Sequence, residues 1–330
     1  MGSIVVDVGG TNLRLGYYGQ QGLRDVRRFP VENFLSNPGI SSSELYQRFM
    51  VQLETALKHY FSTYPNAPLG VSFPGPIDSK GKVVQAPTLW GDLLKNVDLT
   101  HDLRQKFDCR VWILNDISAA VWRYAEPPIQ DFCLITISSG VGNKVFRQGE
   151  ILLNEQGMGG EIGHCQVAHG EFALPCDCGG KGHLGGLASG RGTMQLSYLL
   201  SEKHKAEFGQ SPLSDLPAGP LEKWTTKCFV SALHDNDPFC YMVLTAAQEY
   251  LVSAMSHLYH WIGIRKFIFV GGFAVAIGEA YIDNLNRILK ENRWLGMSED
   301  DMGSMCALGV LDDDHSLIGM GKYVLIKEEA

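Results

Sequence analysis

The chain has 330 residues. A single hydrophobic core rarely supports a domain of that size, so the length predicts two domains. Its 45% hydrophobic and 19% charged residues are typical of a globular enzyme, and its net charge of −8 does not favour a nucleic-acid partner. No apolar run reaches transmembrane length, and residue 3 already begins a strand-like run rather than a signal peptide. Eight irregularly spaced cysteines indicate reduced thiols and a metal site. We therefore expect a cytoplasmic protein with neither a membrane nor a nucleic-acid partner.

A β-branched run at residues 3–8 predicts a strand that leads directly into Gly9-Gly10-Thr11. Such a turn offers backbone N–H groups and a hydroxyl to a phosphate. Asp7, at the end of the strand, can hold Mg²⁺ directly or through water. A hairpin with two glycines is also a common simple turn, so this motif alone leaves both interpretations open.

The next segments predict a loop at residues 31–43, a helix at 44–61 and a strand at 69–73. That strand ends in the rigid turn Pro74-Gly75-Pro76. After a short helix at 99–107, a strand at 111–114 leads to Asn115-Asp116. A carboxylate at the end of a strand in an α/β sheet is well placed to meet a ligand. The alternative is that Asp116 caps the helix predicted at 117–124.

A second hydroxyl- and glycine-rich turn follows the strand predicted at 132–137. It contains Ser138, Ser139 and Gly140. Two such turns, from two related halves of a protein, can clamp the β- and γ-phosphates of ATP between them.

Residues 160–190 combine imidazole and thiol side chains with many glycines. His164, Cys176, Cys178 and His183 provide the nitrogen and sulfur ligands of a four-coordinate structural zinc site. A glycine-rich surface loop with two incidental thiols is the alternative, and the ligand set favours zinc.

Downstream, helices are predicted at 192–200 and 221–234, with a Pro/Gly-rich loop at 210–220 between them. Asp237-Pro238 opens a long helix to about residue 261, and a strand follows at 266–270. The turn Gly271-Gly272 after that strand lets the next helix approach a nucleotide.

Several of these segments resemble the ROK family of sugar kinases and repressors. Glu161-Ile162-Gly163-His164 followed by Cys-x-Cys-Gly resembles its zinc signature, and DVGGTNLR resembles the first phosphate loop of the actin-like sugar kinases. The resemblance covers nearly the whole chain in the correct order. It implies the α/β actin-like ATPase (ribonuclease-H-like) fold, with two α/β domains around a central cleft. The first domain would be residues 1–118 plus about 312–330; the second would be 119–311 with the zinc knuckle.

The family resemblance also implies a function: phosphoryl transfer from MgATP to a primary hydroxyl of a hexose or hexose-like acceptor. Asp116 would be the general base. The acceptor would be bound by Asn115, Glu161, His164, Gly75 and Thr88. The nucleotide would be bound by Asp7, Gly9, Gly10, Thr11, Asn12, Ser139, Gly140, Gly271 and Gly272. A structural zinc ion and a homodimer are implied as well.

Two positions depart from the family pattern on the substrate side. Gly185 stands where the family usually has a glutamate that contacts the sugar, and Thr88 stands where asparagine is common. Loss of a carboxylate that binds a hydroxyl shifts substrate choice. A C7-cyclitol of the valiolone type or an amino sugar is therefore an alternative to glucose. A sugar sensor without catalysis and a repressor are rival functions; only six residues precede Asp7, too few for the helix-turn-helix module of a repressor.

Overall fold

This computed structural model describes residues 2–215 and 225–329. Strands and helices alternate along most of the chain. The strands are β1 (Gly2–Val8), β2 (Asn12–Gly19), β3 (Gly22–Pro30), β4 (Leu69–Phe73), β5 (Val83–Ala86), β6 (Gly91–Val97), β7 (Val111–Asn115), β8 (Phe132–Ile137), β9 (Val141–Arg147), β10 (Glu150–Ile151), β11 (Phe267–Val270) and β12 (Cys306–Leu308).

The helices are α1 (Ser42–Thr63), α2 (Pro87–Trp90), α3 (Leu99–Phe107), α4 (Asp116–Tyr124), α5 (Gly185–Ala188), α6 (Gly190–Lys203), α7 (Lys205–Phe208), α8 (Thr226–His234), α9 (Pro238–Ile262), α10 (Gly272–Ile277), α11 (Glu279–Asn292), α12 (Glu299–Met302) and α13 (His315–Glu329). The strands and helices predicted from periodicity are present, with ends that differ by a few residues. Of the loop predicted at 210–220 and the helix predicted at 221–234, residues 216–224 lie outside the described part of the chain. None of the helices in the described ranges is long and apolar enough to cross a membrane.

The described residues form two compact units. Unit 1 comprises residues 2–130, 149–159 and 312–329, and unit 2 comprises the described residues of 131–148 and 160–311. The division expected from the sequence differs at 119–130 and 149–159, which group with unit 1. The reason at 119–130 is that α4 packs along α13. Where the independently folding domains end stays a prediction.

Unit 1 is built on a five-stranded sheet of order β3-β2-β1-β4-β7. The β1–β2 and β2–β3 pairs are antiparallel, and the β1–β4 and β4–β7 pairs are parallel. Alternate residues of β1 are buried on opposite faces: Ile4 and Val6 pack with the α1 side, and Val5 packs with α4 and α13. Both faces of this sheet are therefore covered, as the parallel strands require.

Unit 2 repeats this arrangement. Its sheet contains β9-β8-β11-β12 in that order, with β8–β9 antiparallel and β11 parallel to both β8 and β12. In unit 1 the matching run is β2-β1-β4-β7. Each unit thus has a hairpin followed by two parallel strands, so each presents a hairpin turn and the carboxyl ends of parallel strands at one edge.

Candidate active site

Three predicted site residues lie along one edge of the unit 1 sheet. Asp7 pairs in register with Ser72, and Phe73 pairs with Asn115, so the carboxyl ends of β1, β4 and β7 are level with one another. Asp116 follows Asn115 as the first residue of α4. This edge is where ligands bind to open α/β sheets.

The Asp7 carboxylate is held by two side chains that donate to different oxygens. Ser72 Oγ donates to Oδ1 at 2.8 Å, while Arg14 donates to Oδ2 through Nε at 3.1 Å and Nη2 at 2.8 Å. The guanidinium also reaches Asp314 at 3.2 Å and Asp313 at 3.3 Å, near the C-terminus. Because both oxygens of Asp7 accept hydrogen bonds, the orientation of the carboxylate is fixed.

The β1–β2 turn is closed by local hydrogen bonds. Gly9 N–H donates to the Asn12 carbonyl at 2.8 Å, and Asn12 Nδ2 donates to Thr11 Oγ1 at 3.0 Å. Gly10 packs so closely on Thr88 that an added Cβ would lie 3.0 Å from its Cγ2. Thr88, expected beside the acceptor, therefore borders the predicted phosphate turn.

Asn115 is the N-cap of α4, so the interpretation of Asp116 as the cap is wrong. Asn115 Oδ1 accepts from the N–H groups of Ile117 at 3.1 Å and Ser118 at 3.3 Å. Its Nδ2 donates to the Gly75 carbonyl at 3.1 Å and to Asp116 Oδ1 at 2.9 Å. Asp116 Oδ1 also accepts from Ile117 N–H at 2.8 Å. The cap thus fixes one carboxylate oxygen of Asp116, and it ties β7 to the turn after β4.

Gly75 adopts a φ of +155°, and a Cβ there would lie 2.5 Å from the Gln85 carbonyl oxygen. Any side chain at this position would push the turn away from β5. The position therefore needs glycine to keep its carbonyl within reach of Asn115.

Unit 2 places its two glycine turns at the ends of neighbouring parallel strands. Residues 138–140 (the Ser139 turn) follow β8, and Gly271-Gly272 follow β11. Gly271 has a φ of +96°, and a Cβ there would lie 2.7 Å from both the Ile137 carbonyl and Thr136 Oγ1. The two turns border one cavity of about 400 Å³, which we call the α6–α8–α10 cavity. It is lined by Ser138, Ser139, Gly190, Arg191, Thr226, Lys227, Val230, Gly272, Phe273 and Ala276.

The four predicted zinc ligands are brought together. One ligand atom from each of His164, Cys176, Cys178 and His183 lies within 4.8 Å of the others. His183 Nδ1 is 3.2 Å from Cys178 Sγ, and His164 Nδ1 is 4.0 Å from Cys176 Sγ. Zn–S bonds of about 2.3 Å and Zn–N bonds of about 2.0 Å in a tetrahedron need ligand separations of roughly 3.3–3.8 Å. The separations of 3.2 and 4.0 Å lie on either side of the roughly 3.5 Å that such an ion needs between a sulfur and a nitrogen ligand. We call residues 176–183 the knuckle.

Comparison with known proteins identifies the family. The family model described as "ROK family" matches residues 3–326. The chain is 40% identical to a "C(7)-cyclitol 7-kinase" of Streptomyces hygroscopicus subsp. jinggangensis, over 97% of this chain and 92% of that protein. It is 26% identical to a glucokinase of Halalkalibacterium halodurans, over 98% and 95% of the two chains. The chain belongs to the ROK family.

The structural comparison gives the fold. A ROK family glucokinase from Streptomyces griseus, solved in complex with glucose and AMPPNP, superposes with a TM-score of 0.70 at 19% identity, over 98% of this chain and 99% of that one. This ROK chain therefore has the expected actin-like ATPase fold.

Several polar residues near the predicted site residues were not singled out by the sequence. Lys144 on β9 is buried, with 4% of its side chain exposed, and its Nζ lies 3.1 Å from Glu161 Oε1. Arg191, Thr226 and Lys227 line the α6–α8–α10 cavity. An isolated lysine or arginine carries no local motif, so nothing in the sequence distinguished them from ordinary surface residues.

A smaller cavity of about 210 Å³ (the knuckle cavity) lies between the knuckle and α5–α6, with His164, Cys176, Gly185 and Arg191 in its lining. A third cavity, of about 410 Å³, lies beside β7; Asn115 belongs to its lining and Asp116 does not. Arg191 belongs to the linings of both cavities of unit 2. The predicted site residues of unit 2 in these linings are Ser139, Gly140, His164, Cys176 and Gly272.

Proposed function

We propose that this ROK kinase transfers the γ-phosphoryl group of ATP to the primary hydroxyl of a C7-cyclitol, a carbocyclic relative of a hexose. The observation that carries the choice of acceptor is the 40% identity to a C(7)-cyclitol 7-kinase across 97% of this chain, against 26% to a glucokinase. In a seven-carbon cyclitol, carbon 7 lies outside the six-membered ring. Its hydroxyl is a primary alcohol, as is the 6-hydroxyl of a hexose, so the chemistry of transfer is the same.

Gly185 supports an acceptor without a normal anomeric centre. It lies in the first turn of α5 and lines the knuckle cavity; a Cβ there would lie 3.1 Å from the Gly163 carbonyl oxygen. Glycine leaves open the space that a glutamate side chain would fill. A buried carboxylate needs hydroxyl donors, which the C1–C2 region of glucose supplies and a ketone or altered ring does not.

On the acceptor side, Asp116 takes the proton of the attacking hydroxyl as that oxygen bonds to the γ-phosphorus, and ADP leaves. Asn115 positions the base. Its Nδ2 donates to Asp116 Oδ1 at 2.9 Å and to the Gly75 carbonyl at 3.1 Å, so Asp116 is held at a fixed position relative to the Gly75 turn. Positioning and charge neutralisation supply most of the catalysis in such transfers.

On the donor side, Asp7, Gly9, Gly10, Thr11 and Asn12 of unit 1 form one phosphate-binding turn. In unit 2, the Ser139 turn forms the second phosphate-binding turn, and Gly271-Gly272 border the adenosine. Asp7 would hold Mg²⁺, directly or through water, and the ion would supply positive charge to neutralise the phosphates. Arg14 and Ser72 keep the Asp7 carboxylate in one orientation, because they donate to its two oxygens separately.

His164 together with Cys176, Cys178 and His183 of the knuckle would hold a structural zinc ion. The atoms of His164 and His183 nearest the thiols are both Nδ1. If His164 bound zinc through Nδ1, its Nε2–H would remain as a donor for the acceptor, so one imidazole could serve both predicted roles. Zinc in this position supports the loop and takes no part in the transfer.

Glu161 is oriented by Lys144 at 3.1 Å. A lysine with only 4% of its side chain exposed is costly unless it is paired, so the ion pair fixes the carboxylate that would bind an acceptor hydroxyl. We include a homodimer in the proposal, as the family resemblance implies, and light scattering of the purified protein tests it.

The deciding experiment compares kcat/KM for a valiolone-type C7-cyclitol, glucose and an amino sugar, measured by ADP release at saturating MgATP. We expect the cyclitol to lead. Gly185→Glu should shift the ratio of specificity constants toward glucose, and Gly185→Gln, which adds the same bulk without charge, is its matched control. A native enzyme with glucose far ahead would refute the choice of acceptor and leave a glucokinase.

A further inference from the structure

The N-terminus of α6 is attached to the Ser139 turn by two hydrogen bonds. Gly190 N–H donates to the Ser138 carbonyl at 2.8 Å, and Arg191 Nε donates to the Ser139 carbonyl at 3.0 Å. The Nε end of the Arg191 guanidinium is therefore held against the Ser139 turn, which the sequence predicts to bind phosphate. Its terminal nitrogens extend beyond that anchor.

One terminal nitrogen, Nη2, forms an ion pair with Asp177. Asp177 lies in the knuckle, between Cys176 and Cys178. The Arg191 side chain is 57% exposed and that of Asp177 is 66% exposed. Ion pairs this exposed contribute little to stability, so the carboxylate can be replaced by a stronger ligand at small cost.

Arg191 also belongs to the walls of both cavities of unit 2, the α6–α8–α10 cavity and the knuckle cavity. The first is lined by residues of both turns predicted to bind nucleotide (Ser139 and Gly272), and Lys227 is a second cation in its wall. A guanidinium forms paired hydrogen bonds to phosphate as readily as to carboxylate, and a polyphosphate carries more negative charge than one carboxylate.

We propose that Arg191 is a phosphate-binding residue of this enzyme, and that its guanidinium forms an ion pair with Asp177 when no nucleotide is bound. Nε stays on the Ser139 carbonyl, and Nη2 exchanges the Asp177 carboxylate for a phosphate oxygen of the donor. Asp177 is then a competitor of the donor phosphates rather than part of their site. This inference rests on the proposed use of ATP and adds to it a residue in the nucleotide site and a link from that site to the knuckle.

The experiment measures the dissociation constants of MgATP and of adenosine by calorimetry on the full chain, without an acceptor. Arg191→Ala should weaken MgATP binding roughly 10- to 100-fold, the loss expected for hydrogen bonds to a charged group. It should leave adenosine binding within about twofold. Arg191→Lys keeps the charge and loses the paired geometry, so its dissociation constant for MgATP should lie between those of the native protein and Arg191→Ala.

Asp177→Asn is the discriminating variant because the two explanations of the ion pair predict opposite signs. If Asp177 competes with phosphate, Asp177→Asn should tighten MgATP binding about two- to sixfold. If Arg191 merely braces the Ser139 turn on the knuckle, Asp177→Asn should weaken binding as Arg191→Ala does, and that result overturns the proposal.

Three controls separate the possible failures. Arg287→Ala removes an exposed arginine that pairs with Glu291 at 2.7 Å on α11, outside both cavities, and should not alter MgATP binding. Metal content and melting temperature report whether each variant keeps its fold. A native protein that binds no MgATP refutes the proposed function together with this inference. If the native protein binds MgATP and Arg191→Ala binds it equally tightly, this inference is refuted and the proposed function is not.

Discussion

Replacing Asp116 with asparagine separates the catalytic role proposed for it from a structural one. The substitution preserves the shape of the side chain. An amide oxygen can accept from Ile117 N–H and Asn115 Nδ2, as Asp116 Oδ1 does at 2.8 and 2.9 Å. What the amide cannot do is take a proton. Asp116→Asn should therefore remove the base and keep the local hydrogen bonds.

The structure sets the expected magnitudes. A positioned general base contributes on the order of 10²- to 10⁴-fold in rate, so kcat should fall by that factor. The free energy of unfolding should change by less than about 0.5 kcal/mol, because the N-cap of α4 is Asn115. Asn115→Ala should cost about 1–3 kcal/mol, since it removes the cap and leaves the Gly75 carbonyl without its 3.1 Å donor.

The assay pairs ADP release at saturating substrates with urea unfolding of the same samples, and MgATP binding serves as the check on the donor site. Asp116→Asn should be inactive, stable and able to bind MgATP. A loss of turnover below about tenfold would show that the base lies elsewhere. A stability loss as large as that of Asn115→Ala would contradict the assignment of the cap.

Three further predictions concern the metal, the pH and the packing. Protein purified without added metal should contain close to one zinc per chain by elemental analysis, and Cys176→Ser/Cys178→Ser should lose most of it; zinc-free native protein would refute the site. Burial, with the nearby Arg123 charge, lowers the pKa of His315 to about 4, below its unfolded value of about 6.5. As the pH falls, the unfolded chain therefore binds a proton at His315 before the folded chain does. The stability that His315 contributes is complete above about pH 6.5 and is lost as the pH falls from 6.5 to 4. In His315→Gln, the free energy of unfolding measured in urea should depend less on pH in that range. Gly319→Ala should destabilise unit 1 by at least about 1–3 kcal/mol in urea unfolding, because its Cβ would lie 1.9 Å from the carbonyl oxygen of residue 119.

Local sequence signals predicted much of the fold. The strands Leu69–Phe73 and Phe132–Ile137 have the predicted ends, because short apolar runs bounded by turn residues can be read without tertiary information. The start of α9 after Asp237-Pro238 was likewise predicted, and the Asp237 side chain accepts from Cys240 N–H as an N-cap does. The clustering of the four candidate zinc ligands could be predicted because all four lie within residues 164–183, where a short loop brings them close.

Other features required the tertiary structure. Asn115 and Asp116 are both good N-caps, and only the backbone conformation of Asn115, with ψ of 149°, makes it the capping residue. Arg14 meets Asp313 and Asp314 about 300 positions later in the chain, and no local pattern encodes such a pairing. The same is true of the contact of Arg191 with the Ser139 turn, across 52 positions.

The sequence by itself determined the family, the turns and the cluster of four candidate metal ligands, because these depend on residue types at fixed short spacings. The matching strand orders of the two units, β2-β1-β4-β7 and β9-β8-β11-β12, became visible only in the fold. Between β1 and β4 the chain inserts β3 and α1, whereas between β8 and β11 it inserts the knuckle and a series of helices. Sheet order is decided by which apolar faces can be buried together, and segments of such different length hide that repeat in a linear sequence. The positions of Lys144 and Arg191 beside the predicted site residues follow from the same packing, since it is the sheet and the start of α6 that carry them there.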